Sequence, residues 1–141
     1  MASERQIEGI GFTVKESKFE FFFGRVTSTP RNRERSLQNA RELKRLGIDE
    51  AAGGRQKLLK IFEEGLNAPE VIDYRKATKY GLNVARQVEI SHEEARGAII
   101  VCYFYPAENT DASAQVTSII PQYSGHFWKR SCKAYSVMIC E

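Results

Sequence analysis

Long hydrophobic runs are missing: nowhere do roughly eighteen apolar residues follow one another, so no segment reads as a membrane-spanning helix. The opening MASERQIEGI also lacks the basic region and apolar stretch of a secretory signal. That predicts a cytoplasmic site of action, reached by secretion or delivery as part of a larger protein if the chain acts on another cell. Cysteine is scarce. The three present, Cys102, Cys132 and Cys140, are odd in number and show no C-x-x-C spacing, which argues against a disulfide framework and a structural zinc site. Cys102, inside an apolar run, reads as a small buried hydrophobe. Histidine is scarcer: His92 and His126 are too few for a metal centre, so neither a metal nor a cofactor is expected. G-x-G-x-x-G, G-x-x-x-x-G-K and G-x-S-x-G are all absent, which argues against a dinucleotide fold, a P-loop nucleotidase and an α/β-hydrolase.

What is present is ordinary in amount and uneven in place. Apolar residues make up 42% and charged residues 28% of 141, enough for one domain that buries about two thirds of its unfolded surface. No repeat or linker divides the chain. The net charge is +3, yet Arg25 to Lys60 holds ten Lys/Arg against four Asp/Glu, a local +6 that leaves −3 for the rest. A basic segment on a nearly neutral body is the footprint of a polyanion partner, its plainer alternative being a solvated helix face.

KFEFFFGRV, Lys18 to Val26, alternates Phe19, Phe21 and Phe23 with Glu20, Phe22 and Gly24, and is predicted as a strand. Thr29 then offers an N-cap and Pro30 a first helical residue; Leu37, Ala40, Leu43 and Leu46 recur at helical spacing, and Gly47 supplies a left-handed stop. A second helix is predicted from the stripe Leu58, Leu59, Ile61, Phe62 and Leu66, ended by Asn67 and Pro69. From Tyr80 the period falls to two: YGLNVARQVEI, GAIIVCYFYP and AQVTSIIP read as three strands, antiparallel because their loops are short. An aromatic and basic tail precedes a further candidate strand, Ala134 to Cys140. The expectation is an α+β fold, two N-terminal helices packed on one face of an antiparallel sheet of about four strands, with the other face free to line a cleft. The boundaries that go with it are an N-terminal extension at 1–17, a single domain at 18–121 and a C-terminal extension at 122–141.

Arg31, Arg33 and Arg35 crowd a helix start that already carries about half a positive charge, where each cation opposes stability by about 0.3 to 1 kcal/mol. An anion resolves the conflict: backbone N–H groups from Thr29 to Asn32 and the forked arginine donors would hold a phosphate together. The alternative is a solvated cluster, with Arg35 and Arg41 paired to Glu34 or Glu42. Strict alternation puts Arg86 on the apolar face of its strand, so either a bulge turns it outward or it reaches into a cleft. Thr117 and Ser118 interrupt an apolar strand and offer a hydroxyl to such a cleft, or are ordinary strand residues. His92 and His126 are surface residues or general acids and bases.

The run FFFGRVTSTPRNRERSLQNARELKRLGI, followed by GGRQKLLKIFEEGL, YGLNVARQVEI, GAIIVCYFYP and VTSIIP, resembles C-terminal toxin modules of bacterial polymorphic toxins of the Rhs and contact-dependent inhibition type. The likeness covers Phe21 to Pro121. Many such modules are nucleases, several similar to barnase and the ribonuclease colicins, with helices ahead of an antiparallel sheet. The resemblance implies a toxin-type, metal-independent ribonuclease that cleaves RNA, tRNA included, by attack of the 2′-hydroxyl on the adjacent phosphate. It places Arg25, Ser28, Asn32, Arg35 and Ser36 in the active region. Arg31, Arg35 and Arg86 would then stabilise the phosphorane, with Ser28, Thr117 and His126 as acid and base candidates. Arg25, Thr29, Asn32, Arg33, Ser36 and Lys57 would hold the substrate. The family pattern commonly has histidine where this chain has Arg31, which keeps a cation and loses an imidazole. A cognate immunity protein is the implied partner. Two other readings use the same basic helix: a non-catalytic nucleic-acid-binding module aided by HFWKR, and a module whose arginines meet an acidic protein surface.

Overall fold

A computed structural model describes residues 5–92 and 95–126, the last two of these by backbone alone. The candidate strand Ala134 to Cys140, the FWKR part of HFWKR and the side chain of His126 lie outside the described residues.

Two short strands come first, β1 (Gln6–Glu8) and β2 (Phe12–Lys15), drawn from the segment read as an N-terminal extension. Three helices follow, α1 (Lys18–Phe22), α2 (Pro30–Arg45) and α3 (Gly54–Gly65). Then come β3 (Lys76–Thr78), β4 (Gly81–His92), β5 (Ala95–Pro106) and β6 (Ala114–His126). Among the described residues the strands form one six-stranded sheet in the order β1-β2-β6-β5-β4-β3. Neighbours are antiparallel except β2 and β6, which run parallel with Phe12 opposite Ala114. The α+β class and the three long strands follow the period-two pattern. The sheet nevertheless has six strands rather than four and contains a parallel pair.

Lys18 to Val26 is not a strand. Phe19 and Phe22, three residues apart, share one side of a short helix and are both buried, with ring centroids 6.3 and 6.1 Å from Phe62. Burying two aromatic rings together outweighs the β preference of the run. The core is the layer between these rings, Leu43 of α2 and Leu46 at its C-cap, Leu58 and Ile61 of α3, and the inner face of β4 to β6.

α2 forms where its caps predict. The Thr29 Oγ1 accepts from the Asn32 N–H at 3.1 Å, and Gly47 takes φ +83° beyond the last turn. Leu37, counted in its apolar stripe, is 45% exposed, because this part of α2 lies over the α1–α2 connection at Gly24 instead of over the sheet.

Tyr103 of β5 is fully buried and joins sheet to helix: its hydroxyl donates to the Phe62 carbonyl at 2.6 Å. A Cβ at position 65 would stand 2.3 Å from that hydroxyl, so the last turn of α3 needs Gly65 to approach. Burial pushes the Tyr103 pKa above its ordinary value.

Candidate functional site

β2 and β6 pair only from Phe12 to Val14 and Ala114 to Val116, and then separate. β2 ends at Lys15 and turns into α1. The register of β6 on β5 jumps from Tyr103↔Val116 to Cys102↔Ser118, leaving Thr117 as an extra, bulged residue. A groove of about 1040 Å³ opens where the strands part, with α1 and α2 as its other walls. That is the upper end of the range for ligand pockets and suits something larger than a single small metabolite.

Four cations reach the groove from three elements: Lys15 from β2, Lys18 from α1, and Arg35 and Arg41 from α2. Two carboxylates, Glu20 and Glu34, line it as well, leaving an excess of two positive charges. Phe21, Phe22, Ile119 and Ile120 make an apolar part of the wall, and Gln38, Asn39, Ser17, Thr117 and Ser118 contribute polar groups. The Arg35 guanidinium sits 5.8 Å from the centroid of the Phe21 ring. The Arg41 Nη2 donates to Gln38 Oε1 at 2.9 Å.

Of the residues singled out in the sequence, the groove brings together Arg35 and Thr117, with Ser118 beside the latter. The Thr117 hydroxyl donates to the Cys102 carbonyl at 3.2 Å, which occupies its proton and compensates the ladder bond lost at the bulge. Arg31 lies one turn ahead of Arg35 on the same face of α2 and continues the cationic row towards the helix start. There the first turn carries no acidic residue, Arg31 and Arg33 are exposed, and the Asn32 side chain donates to the Ser28 Oγ at 3.1 Å.

Other expected site residues are placed elsewhere. Ser36 is fully buried; its Oγ donates to the Phe21 carbonyl at 2.6 Å and accepts from the Val26 N–H at 3.4 Å, so it braces α1 against α2 and is closed to a ligand. Arg25 forms an ion pair with Glu50, and that hydrogen bond holds its guanidinium above the usual arginine pKa. Lys57 of α3 donates to the Gly47 carbonyl at 2.9 Å, beside a smaller hollow of about 250 Å³ that His92 also lines. No bulge turns Arg86 outward, since β4 stays in register with β5 across it. It keeps its inward position between Val84 and Val88, half-buried on β4, and donates to the Ala68 carbonyl at 2.9 Å beyond the end of α3. Its Nε is buried and has no hydrogen-bond partner. Cys102 is half-buried on the opposite face of β5 and does not belong to the core cluster.

Lys15, Lys18, Glu20, Phe21, Glu34, Gln38, Asn39 and Arg41 are groove residues that sequence reasoning did not select. A signal existed for part of them: Arg31, Glu34, Arg35, Gln38 and Arg41 recur every three or four residues and form the polar stripe of α2. Nothing local announced that β2 would bring Lys15 to the same place. Among the described residues no helix is long and apolar enough to cross a membrane.

No protein-family model and no curated protein matches the sequence. Among solved structures the chain is similar to one in the "Contact-dependent growth inhibition toxin - immunity protein complex from Klebsiella pneumoniae 342". The TM-score is 0.62 and the identity 23%, over 77% of this chain and 97% of that one. At that identity the likeness establishes a common fold.

Proposed function

We propose that this protein is a ribonuclease domain of the contact-dependent inhibition toxin type, cutting RNA in the groove between α1, α2 and β6. The fold common to this chain and the Klebsiella complex is the starting point. The observation that carries the reading is the convergence of Lys15, Lys18, Arg35 and Arg41 on one groove that also holds Glu20 and Glu34. Transesterification needs a base for the 2′-hydroxyl, an acid for the leaving 5′-oxygen and cations for the charge that develops on phosphorus. A carboxylate of Glu20 or Glu34 takes the 2′-proton as the 2′-oxygen bonds to phosphorus. The bond from phosphorus to the 5′-oxygen breaks, and an ammonium of Lys15 or Lys18 gives that oxygen its proton. Arg35 and Arg41 stabilise the phosphorane, and the products are a 2′,3′-cyclic phosphate and a 5′-hydroxyl. The guanidinium groups of Arg31 and Arg33 at the start of α2 hold the next phosphate. Delivery as part of a larger chain, a cytoplasmic RNA target such as tRNA, and an immunity protein that covers the groove complete the proposal.

The test is incubation of the purified chain with total RNA and tRNA in EDTA, together with growth of cells expressing it. Fragments ending in cyclic phosphate and arrested growth are expected, both lost in the Glu20→Gln/Glu34→Gln double variant. Intact RNA with unslowed growth would overturn cleavage. One observation favours a second reading, in which the same groove binds RNA without cutting it: no imidazole lines it among the described residues. Salt-sensitive binding without products, weakened for all sequences by Arg31→Glu and Arg35→Glu, is the expected result in that case.

A further inference from the structure

We infer that the groove takes a single-stranded segment with one base turned inward, and that Gln38 with Asn39 selects bases presenting a carbonyl oxygen beside a ring N–H. This rests on the polynucleotide reading of the groove and adds a strand state and a base preference to it.

The groove is not built for phosphate alone. Its cations share the wall with Phe21, Phe22, Ile119 and Ile120, and Ile120 is 36% exposed although large and apolar. The Phe21 ring is half-buried, with the Arg35 guanidinium over it. Aromatic and guanidinium planes beside cations are the chemistry that stacks an unpaired base while the backbone stays at the charged rim. In an A-form duplex the base faces are stacked on their neighbours and the major-groove edges lie too deep for side chains to read.

Gln38 supplies the selection. Its amide is oriented by Arg41, whose Nη2 donates to the Oε1 at 2.9 Å. The oxygen is thereby engaged, which leaves the two N–H donors as the groups Gln38 can offer to what enters the groove. Asn39, the neighbouring lining residue, has both a donor and an acceptor to offer. Uracil and guanine present a carbonyl oxygen next to a ring N–H, which meets a Gln38 donor and an Asn39 acceptor. Adenine and cytosine present an amino group next to a bare ring nitrogen, the reverse order, and place a donor against the Gln38 donors.

The test uses 2′-fluoro hexanucleotides, which lack the attacking hydroxyl, as U, A and C homopolymers and as a mixed-sequence duplex, with fluorescence anisotropy at low salt. U is expected to bind about tenfold more tightly than A or C, the scale of one well-placed base contact, and single strands more tightly than duplex. Gln38→Glu, which replaces the donors by an acceptor, should move the U-to-A ratio towards A, and Gln38→Leu should bring it near one. Gln38 is exposed, so both variants are expected to keep the wild-type unfolding midpoint. Phe21→Leu should weaken single strands and leave duplex affinity unchanged. Equal binding of U, A and C, an unchanged ratio in both Gln38 variants, or duplex bound as tightly as single strand would overturn the inference and leave RNA binding standing. Binding to none of the oligonucleotides would overturn the polynucleotide reading itself.

Discussion

Replacing Tyr103 by Phe removes one oxygen and keeps the ring that fills the core. The lost hydroxyl donates to the Phe62 carbonyl, one of the last-turn carbonyls of α3, and the Leu66 N–H that would normally reach it turns to Glu63 instead. The orphaned carbonyl is buried, and leaving such a group unpaired costs about 1–3 kcal/mol, so a central value of about 2 kcal/mol is expected at pH 8. For a chain of this size that lowers the melting temperature by roughly 6 °C. The pH dependence separates this loss from simple loosening. Burial holds the folded-state pKa of Tyr103 above the ordinary 10.0, so above pH 10 the unfolded chain sheds a proton that the folded chain keeps. Wild-type stability therefore falls as pH rises past 10, by about 1.4 kcal/mol at pH 11, while the Phe variant has no such loss. The deficit of about 2 kcal/mol should shrink to roughly 0.6 kcal/mol at pH 11. Urea unfolding followed by far-ultraviolet circular dichroism at pH 8 to 11, with an unchanged m-value, measures both numbers. A deficit under about 0.5 kcal/mol at pH 8, or one that stays constant to pH 11, refutes the reasoning.

The four groove cations together with Arg31 and Arg33 on single-stranded RNA should give a salt slope of about −4.2 and a roughly 300-fold loss of affinity between 50 and 200 mM salt. Lys18→Gln with Arg35→Gln should lower that slope by about a third, and an unaltered slope would put the phosphates elsewhere. Thr29→Ala removes the cap of α2 and should cost about 1 kcal/mol in urea titration, recovered by Thr29→Ser; no change would show that the helix start contributes nothing. Ala107 and Glu108 take φ of +55° and +57° in the β5–β6 turn, so Glu108→Gly should raise the unfolding free energy by about 0.5–1 kcal/mol, and a decrease would contradict the assigned strain.

What could be read from the sequence followed local chemistry. Period-two patterning marks β4, β5 and β6; Thr29, Pro30 and Gly47 bound α2; and Leu58, Ile61 and Phe62 identify α3. Lys18 to Phe22 went the other way because alternation and i, i+3 spacing coexist in a run of phenylalanines, and only contact with Phe62 decides between them. β1 and β2 are too short and too polar to declare themselves. The groove was half legible. Arg35 and Thr117 were visible as misfits, one a cation near a helix start and the other a hydroxyl in an apolar strand. Lys15 and Lys18 join them only through the parallel pairing of β2 with β6. Ser36 misled, because a serine beside arginines looks the same whether it faces solvent or an internal carbonyl.

The parallel β2–β6 pairing also governs when the protein can fold. Phe12 meets Ala114 across roughly a hundred intervening residues, among the least local contacts the chain can make, and closing so long a loop is entropically costly before the contact forms. Until β6 is free, β2 has no partner on that side and β5 carries an open edge. A chain still held in a ribosome tunnel or a translocation pore at residues 114–126 therefore cannot complete its sheet. Nor can it form the groove, since Thr117 to Ile120 are a wall of it. The groove thus waits on release of the last described strand: a partly emerged chain is without the wall that Thr117 to Ile120 supply.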